Sequence, residues 1–144
     1  MESQEGTVLV IDDEKDIVRM IMAVLTQSGI SAVGTSDPVE AVRMVQNDPS
    51  IKLILVDLMM PGMSGPEVVR SSLRLREDDV RVAFMSGARN RLPHRETDQF
   101  FEKPFGIFEL AKQISETLKA PAAITKWNGP ERRRRAISRA SQAS

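Results

Sequence analysis

Thr7-Val8-Leu9-Val10-Ile11-Asp12-Asp13 decides the fold class of this chain. Five apolar or β-branched residues make a short run that reads as a buried strand, and the run ends in two carboxylates. The same design recurs downstream. Asp57 follows Leu53-Ile54-Leu55-Val56, Ser86 follows Val82-Ala83-Phe84-Met85, and Lys103 follows Gln99-Phe100-Phe101-Glu102. Four strands thus deliver three carboxylates, a hydroxyl and an ammonium to the same edge of a sheet. Ligands of open α/β sheets bind at the carboxyl ends of the strands.

Helical patterns alternate with these runs. Ile17, Met20, Ile21, Val24 and Leu25 recur at helical spacing, and Gly29 suits the position after that helix. A weaker strand is expected over residues 30–35. Asp37-Pro38-Val39-Glu40 reads as an N-cap, a proline at the first helical position and a following acid, a capping-box-like start to a helix that runs to about Asn47. A third strand is expected over residues 52–56. Ser64-Gly65-Pro66-Glu67 opens a third helix, a fourth strand covers residues 80–85, and a short fifth covers residues 99–102. Leu110, Ile114 and Leu118 give residues 107–119 one apolar face, with Pro121 beyond. Repeated βα units with right-handed crossovers predict an α/β fold, a doubly wound five-stranded parallel sheet with helices on both faces. In strand order 2-1-3-4-5 the direction of winding reverses between strands 1 and 3, which brings Asp12, Asp13 and Asp57 together.

Composition narrows the function. The 144 residues make one domain, or one domain and a tail, and 41% are apolar, enough for a core. There is no cysteine, so disulfide and thiolate chemistry are excluded. No apolar stretch reaches the ~18 residues of a membrane span, and Met1-Glu2-Ser3-Gln4-Glu5 is too acidic for a signal peptide. A cytoplasmic protein with no membrane partner is expected. The formal net charge of zero hides an asymmetry. Residues 1–120 carry 14 Lys/Arg against 19 Asp/Glu, and residues 121–144 carry 6 against 1, so a domain of net −5 bears a tail of net +5.

Three clustered carboxylates repel one another unless a cation joins them. Mg²⁺ takes oxygen ligands in octahedral geometry, uses one or two carboxylates, and leaves positions for water and phosphate. Asp13 and Asp57 are the expected direct ligands, with Asp12 bonding through water. A carboxylate beside such a metal can itself be a nucleophile and form an aspartyl phosphate. Lys103 adds positive charge, and Ser86 can hydrogen-bond a phosphoryl oxygen.

Val10-Ile11-Asp12-Asp13-Glu14, Asp57-Leu58-Met59-Met60-Pro61-Gly62-Met63-Ser64-Gly65, Ser86-Gly87-Ala88 and Lys103-Pro104-Phe105 resemble the receiver domain of bacterial two-component response regulators, a flavodoxin-like fold. The resemblance covers roughly residues 6–120. It implies that Asp57 accepts a phosphoryl group from a histidine kinase or phosphotransfer protein. It also implies that Asp12, Asp13 and the backbone carbonyl of Met59 help hold Mg²⁺, and that Ser86 and Lys103 bind the phosphoryl oxygens. The Lys103–Pro104 bond is expected to be cis, and Phe100 matches the family's switch aromatic, turning inward when Ser86 is drawn to the phosphate. Phe101 should face the other side of its strand. Residues 87–98 depart from the family. They are short, polar and interrupted by Pro93, so the family's fourth helix is expected to be shortened or irregular. His94, the only histidine, reads as a solvated loop residue.

Taken together, residues 1–120 are expected to form the receiver and residues 121–144, with Arg132-Arg133-Arg134-Arg135, a basic and disordered tail. The expected protein is a stand-alone, single-domain response regulator, a monomer that switches its affinity for an output protein and catalyses nothing beyond its own phosphorylation and dephosphorylation. Nucleic acid is not the expected partner, since the tail is too short for a helix-turn-helix module. A phosphate shuttle or sink, or an unphosphorylated interaction module of the same fold, are the alternatives. A phosphohydrolase similar to haloacid dehalogenases would need a second Asp two residues after the nucleophile, where Met59 stands.

Overall fold

The computed structural model describes residues 6–76, 78–86, 99–103 and 106–120. Five strands, β1 (Thr7–Ile11), β2 (Ala32–Thr35), β3 (Ile51–Asp57), β4 (Arg81–Ser86) and β5 (Gln99–Glu102), form one sheet in the order β2-β1-β3-β4-β5. Every neighbouring pair is parallel. The described helices are α1 (Lys15–Gln27), α2 (Pro38–Asn47), α3 (Gly65–Leu73) and α4 (Ile107–Lys119). The strand order and parallel pairing expected from the sequence are therefore present. The segment 87–98, where a shortened helix was expected, the tail from residue 121, and the peptide bond to Pro104 lie outside the described residues.

Two apolar layers explain why β1 and β3 are apolar almost throughout. Val8, Val10, Leu53, Leu55 and Met85 face α1 and α4, while Leu9, Ile11, Ile54, Val56 and Phe84 face α2 and α3. A strand covered on both faces needs apolar residues at every position rather than at alternate ones. Phe101 is buried in the α1/α4 layer, as the alternation along β5 requires.

Helix ends set the element boundaries. Gly29 has φ of +81°, its N–H bonds Thr26 O at 3.0 Å, and the Ile30 N–H bonds Leu25 O at 2.9 Å. This is a Schellman closure of α1. It claims Ile30, so β2 begins at Ala32 rather than at residue 30. At α2, Asp37 Oδ1 accepts from the Val39 N–H at 3.0 Å, but the capping box suggested by Glu40 does not form. Glu40 instead accepts from the Thr35 hydroxyl at 2.6 Å, and Thr35 accepts from the Asp37 N–H. The reciprocal box is found at α3, between Ser64 and Glu67.

Candidate functional site

Parallel register brings the strand ends together. Ile11 pairs with Val56, Asp57 with Met85, and Ser86 with Glu102, so the residues that follow or close these strands share one edge. Asp12 is fully buried, Asp57 nearly so, and Asp13 is exposed. One carboxylate oxygen from each of the three lies within 4.8 Å of the others. Lys103 reaches in from the end of β5, whose position is held by its N–H bonding Ser86 O at 2.7 Å. Lys103 Nζ lies 2.6 Å from Asp12 Oδ2, 3.4 Å from Asp57 Oδ2 and 4.0 Å from Glu14 Oε1.

Backbone donors orient the two buried carboxylates. Asp12 Oδ1 accepts from the Glu14 N–H at 2.9 Å, and Asp57 Oδ1 accepts from the Met59 N–H at 3.3 Å. Beneath Asp57, the Leu58 N–H bonds Met85 O and the Gly65 N–H bonds Leu58 O, each at 2.8 Å. A Cβ on Gly65 would stand 2.5 Å from the Asp57 carbonyl oxygen. Only glycine lets the start of α3 approach this closely. The sequence reading did not single out Gly65 or Glu14 for the site. The Gly-Pro step after Ser64 was the available signal for Gly65.

The charges in this pocket are not balanced. Burial, then the nearby Asp12, push the Asp57 carboxyl above its ordinary range, against the pull of Lys103. Burial works against the Lys103 charge, but the hydrogen bond and charge of Asp12, with Asp57 beyond, override it and raise that ammonium above its ordinary range. One ammonium shared among acids leaves the cluster short of positive charge. The donor set suits a hard divalent cation. Its oxygens are all carboxylate, and one from each acid lies within 4.8 Å of the others, close enough to share one ion. No other such cluster of His, Cys, Asp or Glu occurs among the described residues.

Ser86 is buried at the end of β4. Met59 is exposed beside Asp57. Phe100 pairs in register with Phe84 on β4, while its proposed switch concerns a side chain outside what the structure describes. His94 falls in the undescribed segment.

Residues 8–115 match the response regulator receiver domain family. The chain belongs to that family. It is 30% identical over 130 residues to the uncharacterized transcriptional regulatory protein YkoG of Bacillus subtilis (strain 168), covering 85% of this chain and 55% of YkoG. It is 33% identical over 125 residues to the sensor kinase CckA of Brucella abortus (strain 2308), covering 81% of this chain and 13% of the kinase. Among solved structures, the receiver domain from the hybrid histidine kinase CckA superposes with a TM-score of 0.68 at 26% identity, covering 79% of this chain and all of that one. The receiver therefore spans about half of YkoG and a small part of the kinase. Domains of this family take part in two-component signalling with histidine kinases and output partners. No helix among the described residues is long and apolar enough to cross a membrane.

Proposed function

We propose that Asp57 accepts a phosphoryl group from a histidine kinase or phosphotransfer protein, with Mg²⁺ as cofactor, and that the modified receiver changes its affinity for a partner protein. The observation that carries this reading is Asp57 itself. It is a buried carboxylate at the end of β3, with an oxygen within 4.8 Å of both Asp12 and Asp13 and facing the Lys103 ammonium at 3.4 Å.

In this reading one Asp57 oxygen attacks phosphorus as the bond to the donor imidazole breaks. The Met59 N–H on the other oxygen holds the carboxylate in line. Asp12, Asp13, Asp57 and the Met59 carbonyl would hold the metal, which when bound would offset charge on the transferring group. Lys103 leaves Asp57 for a phosphoryl oxygen while keeping Asp12, and the Ser86 hydroxyl bonds another. Phe100 then follows Ser86 as the switch aromatic. The protein works in the cytoplasm as a monomer and acts on no substrate but itself.

Incubation with acetyl phosphate and Mg²⁺ tests the reading by intact mass. One phosphoryl group should be added, none without the metal, and none to Asp57→Asn. Addition to that variant at the wild-type rate would overturn it.

A further inference from the structure

The helices α1 and α4 pack side by side on one face of the sheet, and a cleft, the foot of the groove that separates them, opens at their C-terminal ends. On α1, a Cβ at Gly34 of β2 would strike Val18 and Met22, so that flank of the helix is turned to β2. The stripe Met20–Val24–Ser28, at four-residue spacing, follows the other flank. On α4, Phe108 and Ser115 lie two turns apart on one stripe. The stripes converge at the lower end of the groove, where Ser28, Gly29, Ser115 and Lys119 line a common cleft. Higher up, the same stripes carry Met20, 45% exposed, and Phe108, 74% exposed. Two large apolar side chains thus flank one groove without cover from the described residues.

The chain itself leaves from the foot of this groove. Arg81 Nη2 donates to Ala120 O at 2.6 Å and fixes the point of departure after α4. Beyond it come Pro121-Ala122-Ala123-Ile124-Thr125-Lys126-Trp127, then Arg132-Arg133-Arg134-Arg135. From Ala120 back to Phe108 along α4 is about 18 Å at ~1.5 Å per residue. The seven residues to Trp127 reach about 23 Å when extended. A tail folded back along the groove therefore brings Trp127 level with Met20 and Phe108. The five residues to Arg132 span about 16 Å more, enough to bring the basic run over Asp13, Glu14 and Asp16 at the start of α1, where Asp16 and Glu14 are 99% and 67% exposed. The charge balance agrees, since the tail of net +5 meets a domain of net −5.

We propose that residues 121–135 dock along the α1–α4 groove of their own receiver, with the Trp127 indole seated between Met20 and Phe108 and Arg132–Arg135 over the acidic rim beside Asp13. The sequence reading expected a disordered tail, and residues 121–144 lie outside the described ones. The docking does not depend on phosphoryl transfer.

Trp127 is the only tryptophan, so its fluorescence in the full chain reads the contact directly. The expected result is a blue-shifted emission and a quenching constant for acrylamide several-fold smaller than in urea, independent of protein concentration. Phe108→Ser and, separately, Met20→Ser should shift the emission to the red and restore quenching, with far-UV circular dichroism unchanged. Both replace exposed side chains, and either one suffices should the other disturb folding. Replacing Arg132–Arg135 with glutamine, or raising the salt, should weaken protection in part. A solvent-like tryptophan in the wild type would overturn the proposal. So would protection that survives both groove variants, or protection that grows with concentration, which would place the tail on a second copy.

Discussion

Lys103 Nζ sits 2.6 Å from Asp12 Oδ2, while its distance to Asp57 Oδ2 is 3.4 Å. The shared ammonium is therefore committed first to the carboxylate that is fully buried. Asp57, the proposed nucleophile, holds only the weaker part of that charge. A nucleophile left under-neutralised is free to exchange one cationic partner for another.

Removing the ammonium should expose the cost of burying Asp12. Lys103→Met should destabilise the metal-free protein by about 3 kcal/mol, the scale for breaking a buried pair and stranding one charge. Millimolar Mg²⁺ should recover much of the loss by replacing the lost positive charge. Thermal melts with and without the cation check this, and equal losses in both would mean that Lys103 and the metal do not share the Asp12 charge.

Asp57→Asn should do the opposite. The folded-state pKa of Asp57 is raised, so its stabilising contribution is present in full below the unfolded value near ~3.9 and is lost as pH rises through the folded value. At neutral pH the ionised group therefore opposes folding. The amide should raise stability by about 1 kcal/mol without Mg²⁺. The gain should shrink as pH falls toward 4 or as the cation is added. Urea melts at two pH values measure both trends, and a loss of stability at neutral pH would refute the argument.

Arg76 offers a test far from the site. It is buried, and its guanidinium donates to the carbonyls of Val45, Asp48, Pro49 and Ile51 as well as to Asp78. It ties the end of α3 to the turn before β3. Arg76→Met should cost about 3–5 kcal/mol, because several buried acceptors lose their donors at once. Arg76→Lys should recover little, since an ammonium lacks the planar fork. The Arg76 hydrogen bond, with Lys52 and despite partial burial, holds the Asp78 carboxyl well below the usual carboxylate range. A depressed folded pKa gives stability that is present above the unfolded value and lost as pH falls toward the folded one. Asp78 is 38% exposed, so solvent screening limits the effect to about 1 kcal/mol. Asp78→Asn should show that deficit at pH 7 and lose it in acid.

Two glycines should respond differently to alanine. At Gly65 a Cβ meets the Asp57 backbone carbonyl at 2.5 Å, and neither backbone can yield cheaply. Gly65→Ala should cost about 2–4 kcal/mol and slow acetyl phosphate labelling of Asp57, because α3 must move away from β3. At Gly34 the Cβ meets side-chain atoms, Val18 Cγ1 at 2.5 Å and Met22 Sδ at 2.7 Å. Gly34→Ala should cost about 1–2 kcal/mol and leave labelling unchanged. Denaturant titrations and intact mass distinguish the two, and equal labelling rates would remove the link between Gly65 and the site.

The parallel sheet was legible because burial on both faces demands unbroken apolar runs, and the turn residues between them are local signals. Residues 99–102 and 107–119 lie where the sequence placed them, the second because Leu110, Ile114 and Leu118 mark one apolar face at helical spacing. Asp12, Asp13, Asp57, Ser86 and Lys103 were legible as a group because topology alone sends strand ends to one edge. The sequence did not determine which acid the Lys103 ammonium would favour. Asp12 and Asp57 are both strand-end carboxylates, and only side-chain burial and reach across the sheet decide between them. Nor did it determine that Glu40 would serve Thr35 rather than its own helix cap, since that contact needs β2 and α2 set at a particular distance. Nothing in the local sequence marks Arg76. It became a buried clamp because α2, the turn before β3 and the end of α3 converge, and their carbonyls, remote in sequence, form a nest only in three dimensions.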